Sequence, residues 1–149
     1  MSNKPSKNGS QYIPLNPKKY KGAYPIQVRS SYELKFCKFC DLNSQVLFWS
    51  SEPIGIPYFD PVKQKERRYF IDFLVTVIDK DKKRDKIWAV EIKPYKECIP
   101  PSKKGNKSKK TILYEQVTYA TNKAKWISTQ KYCKIRNWKF KLITERELF

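Results

Sequence analysis

The sequence predicts a single α/β domain, a mixed central sheet with one helix before it and a long helix after it. Three observations predict this. β-Branched and aromatic residues fill 69–78, a second such run fills 87–92, and residues 112–136 repeat apolar side chains at helical spacing. With 149 residues, the chain has length for one core and rarely for two.

The elements follow in order. Residues 1–21 carry Lys4, Lys7, Lys18, Lys19 and Lys21 with three prolines and no acid, which reads as a flexible basic tail. Residues 22–149 form the domain. Ser30 or Ser31 caps a helix that runs to about Leu42. Short strands follow at 46–49 and 54–58, with Pro53 and Pro57 holding them near an edge. Residues 59–66 read as a turn-rich loop and 68–78 as one strand. After a charged hairpin turn at 79–85, a second strand covers 86–93 and stops at Pro94. A mobile lysine-rich loop is expected at about 97–110, with five lysines among residues 102–110. In the long helix, Leu113, Val117, Ala120, Ala124 and Ile127 recur at spacings of four and three, a face expected to pack on the sheet. A last strand spans 138–144, and 145–149 is a short tail.

Composition narrows the chemistry. Thirty-two Lys and Arg against 14 Asp and Glu give a net charge of +18, which suits a polyanion: most often nucleic acid, less often an anionic membrane. With 40% hydrophobic residues the chain can bury a real core. There is no histidine, which excludes Ser-His-Asp hydrolysis and every nuclease chemistry that needs a histidine base. No apolar stretch reaches the roughly 18 residues of a membrane span, and no signal-peptide core precedes the domain, so neither membrane insertion nor signal-peptide secretion is expected. The cysteines, Cys37, Cys40, Cys98 and Cys133, are then expected as reduced thiols. Cys37 and Cys40 have the spacing of half a zinc knuckle, but they lie in an apolar helical pattern with no second close pair, so helix packing is the better reading.

The informative residues are charges inside apolar strands. Asp72 stands between Ile71 and Phe73, and Glu91 and Lys93 flank Ile92. Alternation along a strand points Glu91 and Lys93 the same way, and a hairpin can set Asp72 beside Glu91. A buried structural salt bridge is the plain alternative, but buried charges are weak stabilisers. Two carboxylates with the Ile92 backbone carbonyl between them make a hard oxygen site for Mg2+ or Mn2+. Such an ion activates water and polarises phosphate, and Lys93 would orient that water or stabilise transition-state charge.

Asp72, then eighteen residues, then Glu91-Ile92-Lys93 resembles the PD-(D/E)xK nuclease superfamily, with Ile71 where the motif's proline would stand. Many nucleases of that superfamily carry a helical glutamate before the first strand that completes or assists the metal site, and Glu33 matches it. From spacing alone Glu33 is equally an exposed acid favoured by a helix N-terminus. A longer series of blocks stands in one order, among them Arg29-Ser30-Ser31-Tyr32-Glu33, Trp49-Ser50-Ser51-Glu52, Arg68-Tyr69-Phe70-Ile71-Asp72-Phe73, Glu91-Ile92-Lys93-Pro94 and the ending from Phe140 to Phe149. Over about 19–149 the chain is similar to the head-completion nucleases of T-even-type tailed phages. The resemblance implies a restriction-endonuclease-like core and a magnesium-dependent DNA endonuclease with Glu33, Asp72, Glu91 and Lys93 as catalytic residues. It also implies work in the virion or the infected bacterial cytoplasm, among phage head or neck proteins, on the ends of packaged DNA.

The same frame sorts the basic residues. Arg29, Arg67 and Arg68 flank the proposed site and are candidates for phosphate contact, with surface charge as the equal alternative. Lys103, Lys104, Lys107, Lys109 and Lys110 would track the DNA backbone without reading sequence. Gln116, Asn122 and Lys125 match superfamily positions that often face the cleft. Tyr20 and Tyr69 could stack on a base, although core packing is the commoner role for a strand aromatic, and Trp126 and Trp138 are expected in the core. About six neutralised phosphates would give a logarithmic salt slope of roughly −5. Double-strand cutting by a single-site enzyme would favour a homodimer or two successive nicks. Two competing functions remain, a non-catalytic DNA-binding head protein that kept the nuclease fold and a ribosomal-type RNA-binding protein. Intact acids speak against the first, and charges inside strands against the second.

Overall fold

The computed structural model describes residues 10–81 and 84–148; Lys4 and Lys7 of the expected tail, the middle of the charged turn and Phe149 lie outside them. The chain runs β1 (Ser10–Tyr12), β2 (Ile26–Val28), α1 (Ser31–Leu42), β3 (Val46–Ser51), β4 (Gly55–Asp60), β5 (Lys65–Phe70), β6 (Phe73–Val77), β7 (Lys86–Ile92), α2 (Lys109–Ile135), β8 (Lys139–Ile143) and α3 (Glu145–Leu148). The central sheet has the order β3-β6-β7-β8. Its first three strands are antiparallel, and β8 lies parallel to β7. A parallel neighbour needs a crossover, and α2 supplies it.

The expected strand over 68–78 is two strands. β5 pairs with β4 in a hairpin of its own, and β6 pairs with β3 and β7 in the central sheet. The antiparallel ribbon bends after Ser51 on one side and at Ile71–Asp72 on the other. Glu52 takes a positive φ of 48° at the bend, and its amide donates to the Asp72 carbonyl at 2.9 Å. Asp72 therefore occupies a break between strands rather than a strand interior. The expected loop at 59–66 narrows to a turn at 61–64 between β4 and β5, because buried Asp60 accepts from the amides of Val62 (2.9 Å) and Lys63 (3.1 Å) and so tightens the turn.

Alternation along β7 divides the core. Val90 and Ile92 pack with Phe36, Cys37 and Cys40 of α1 and with Trp49, Phe73 and Val75. Ala89, on the opposite face, packs with Ile56, Tyr58, Tyr69, Ile71 and Cys133 of α2. Cys37 and Cys40 are thus fully buried packing residues, and burial pushes the Cys37 thiol up to about 12.

Two further expectations are corrected. Residues 10–20 are not a loose tail: β1 pairs with β2, and Asp41 of α1 accepts from Tyr12 Oη (2.5 Å) and from the amides of Leu15 (2.8 Å) and Asn16 (3.0 Å). One buried carboxylate with three donors fixes the segment, while Tyr20 stacks edge-on against Trp49. On α2 the buried face is Asn122, Trp126, Thr129 and Cys133, whereas Leu113, Ala120 and Ile127 are exposed. The phase differs because Thr129 and Asn122, polar by composition, take inward positions. Thr129 is satisfied by Tyr69 Oη and by the Lys125 carbonyl at 2.8 Å. The helix also starts earlier than expected, capped by Ser108 Oγ, which accepts from the Thr111 amide at 3.1 Å. That places Lys109 and Lys110 in its first turn.

Candidate active site

The ribbon bend and the end of β7 meet at Asp72 and Glu91. Asp72 Oδ2 accepts from the Ile92 amide at 2.8 Å, and Glu91 Oε1 accepts from the Asp72 amide at 3.3 Å. Each carboxylate is held by backbone through one oxygen, and the two side chains also share a hydrogen bond with each other. Lys93 follows on the same face as Glu91, with Nζ 4.0 Å from Glu91 Oε2. Its amide donates to the Ile143 carbonyl at 3.0 Å, which extends the β7–β8 ladder and fixes its direction.

The electrostatics mark an incomplete charge balance. Burial, and then the negative charge of Glu91, hold Asp72 well above the ordinary carboxylate range. Burial also raises Glu91, and the Lys93 ammonium opposes that rise. Two buried carboxylates that resist joint ionisation are the donor set that a hard divalent cation neutralises.

Three neighbours complete the surroundings. Glu33 sits at the third helical position of α1, where its amide donates to Ser30 Oγ at 3.1 Å. Burial, and then the charge of Asp72, push it up to about 7. Among the described residues no three Asp, Glu, Cys or His side chains converge as metal ligands, so Glu33 stands beside the carboxylate pair without joining it. Arg29 donates from Nη1 to Glu52 Oε1 at 2.6 Å, and its charge also lowers Glu33. Lys125, on α2, is half-buried with Nζ 5.7 Å from the Tyr58 ring centroid and 5.6 Å from that of Tyr69. Burial, and then the Lys93 charge, lower its pKa, while Glu91 raises it.

The site so arranged brings together Glu33, Asp72, Glu91, Lys93, Lys125 and Arg29. The others lie further out. Arg67 pairs with buried Asp60 at 3.5 Å on the face that carries Tyr69, whereas Arg68 is exposed on the opposite face of β5. Lys103, Lys104, Lys109, Lys110 and Gln116 are exposed, and Lys107 is held by Glu115 Oε1 at 3.0 Å and by the Ser102 carbonyl at 3.0 Å. Tyr69 is core, as is Trp126. Glu52 was not anticipated as part of the site. Its only sequence signal is an acid directly after an apolar strand.

The comparisons with known proteins fit this geometry. Residues 43–145 match the family described as TnsA-like endonuclease N terminal. The chain belongs to the TnsA-like endonuclease family. The matched segment carries the whole ribbon, β7, α2 and β8, and with them Asp72, Glu91, Lys93 and Lys125. This TnsA-like chain is also 35% identical over 139 residues to the head completion nuclease of Enterobacteria phage T4, covering 91% of this chain and 89% of the relative. The restriction-endonuclease-like core implied by the PD-(D/E)xK resemblance is the fold observed, a mixed sheet with its acids at the end of paired strands. Among the described residues no helix is long and apolar enough to cross a membrane.

Proposed function

We propose that this protein is a metal-dependent DNA endonuclease that uses Mg2+ or Mn2+ and acts during phage head completion, processing the ends of packaged DNA. The observation that carries the reading is the Asp72–Glu91 pair, buried, unable to ionise together and flanked by Lys93 and Lys125. The net charge of +18 supports a DNA substrate, and the phage relative supports the setting among head or neck proteins in the virion or infected cell.

Asp72 and Glu91, with the Ile92 carbonyl, would hold the cation. When bound, it supplies Lewis-acid polarisation of a phosphate oxygen and acidifies a water. The chain's own residues do the rest. Lys93 presents an ammonium to the reacting phosphate and stabilises the charge that develops there. Lys125, poised over two aromatic rings, adds a second cation to the same face. Glu33, raised to about 7, can take up or release a proton near neutral pH beside the pair. Arg29, Arg67 and the exposed lysines 103, 104, 109 and 110 bind flanking phosphates.

The test is incubation of supercoiled plasmid with Mg2+, Mn2+ or chelator, with DNA affinity measured in parallel. Nicking and linearisation only with metal is the expected result. Tight DNA binding without cleavage under any condition would replace this reading with that of a non-catalytic head protein. Mass determination in the same preparations reports whether the cutting species is a monomer or a homodimer.

A further inference from the structure

A cavity of about 330 Å³ lies between α2 and the segment that follows Lys93. Lys96 and Glu97 line one wall, and Tyr114, Glu115, Tyr119 and Asn122 the other. Its walls continue the two elements that carry site lysines: Lys96 stands three residues beyond Lys93, and Asn122 one helical turn before Lys125. At about 30 Å³ per water the space holds roughly eleven water volumes, enough for the about ten non-hydrogen atoms of a purine.

Asn122 is the informative residue. It is only 6% exposed and lines the cavity, and its side-chain amide makes no hydrogen bond among the described residues while staying open to the cavity. An amide offers a donor and an acceptor side by side, the complement of a base edge. Tyr114, 70% exposed at the mouth, and Tyr119 offer rings for stacking. Glu97 argues against a phosphate inside and offers an acceptor to an exocyclic amino group, whereas Glu115 is engaged by Lys107. Lys96 stays at the rim for the backbone.

We propose that this cavity receives an unpaired nucleobase next to the scissile phosphate, so that the preferred substrate is a duplex end carrying a single-stranded extension. The inference rests on the nuclease reading above for its account of the neighbouring site.

The test uses the full chain in chelator, which separates binding from cleavage. Three probes are compared: a blunt duplex, the same duplex with a five-nucleotide extension containing 2-aminopurine, and a duplex with 2-aminopurine inside it. Wild type is expected to bind the extended duplex about tenfold more tightly than the blunt one, as stacking of one base allows. The fluorescence of the extension probe should change on binding. Asn122→Ala and Tyr114→Ala should both abolish the gain and the fluorescence change. The Tyr114 variant guards against misfolding, since that side chain is exposed. Equal affinity for blunt and extended duplexes would overturn the proposal, as would a signal from the duplex-internal probe alone, which would mean base flipping. If the plasmid test shows no cleavage while the extension gain depends on Asn122 and Tyr114, the nuclease reading fails and the pocket stands. Metal-dependent cleavage without the extension gain leaves the nuclease reading and removes the pocket.

Discussion

Asp72 and Glu91 are joined through the backbone: the Asp72 amide donates to Glu91 Oε1 at 3.3 Å, although the Glu91 charge opposes ionisation of Asp72. The reciprocal bond, from the Ile92 amide to Asp72 Oδ2 at 2.8 Å, closes the pair. The bend in the ribbon makes this possible. A residue inside a regular strand pairs its amide with a neighbouring strand, whereas Asp72 has its amide available for a side chain.

Glu91→Gln separates the two consequences of that arrangement. Neutralising one acid removes the repulsion and part of the desolvation cost, so stability in chelator should rise by about 1 kcal/mol, or a few degrees in Tm. Metal-dependent cleavage should fall by about a hundredfold or more. Calorimetry and plasmid nicking on one preparation check both directions.

The pH dependence of metal-free stability follows from Glu33. Its pKa is raised from 4.5 to about 7 by folding, so the native state binds the extra proton. Stability is then fully present below about 4.5 and is lost as pH rises through about 7, amounting to roughly 3 kcal/mol. Asp72 and Glu91 shift in the same direction. Urea denaturation in chelator at pH 5.5 and 8.5 should show the higher midpoint at pH 5.5, and Glu33→Gln should flatten the difference.

Lys93→Met tests the split between binding and chemistry. Lys93 faces Glu91 Oε2 at 4.0 Å, too far for a hydrogen bond, so its loss should leave Mn2+ affinity nearly intact. Cleavage should drop by about two orders of magnitude, measured as single-turnover rate at saturating metal.

Asp41→Ala addresses the N-terminal segment. Burial pushes Asp41 up, but bonds from Tyr12, Leu15 and Asn16 outweigh it and leave its pKa lowered. Removing the carboxylate strands three donors and should cost about 2–4 kcal/mol in urea denaturation. Limited proteolysis should then cut within residues 10–20.

Much of this was legible in the sequence, for definite reasons. Glu91 and Lys93 flank an apolar residue in an apolar strand, and only alternation was needed to place them on one face. The start of α1 was legible to within one residue, since Ser30 and Ser31 could each cap it and Ser30 does. The bend at Asp72 was not, because Tyr69 to Ile78 keeps strand composition through the break, and the bend depends on Glu52, twenty residues away. The phase of α2 was misread because Leu113 and Ile127 outweigh Thr129 on any hydropathy count, while the Tyr69 hydroxyl that makes Thr129 an inward residue belongs to another element. Asp41 hid the docking of residues 10–20, since nothing in a proline- and lysine-rich stretch announces a distant buried acceptor.

The most direct measurement of the central claim is Mn2+ binding by isothermal calorimetry at pH 8 for wild type, Asp72→Asn and Glu91→Gln. Binding to wild type that is lost in both variants is the predicted result. Equal Mn2+ binding by wild type and Glu91→Gln would contradict it and would place the metal, and the chemistry, elsewhere.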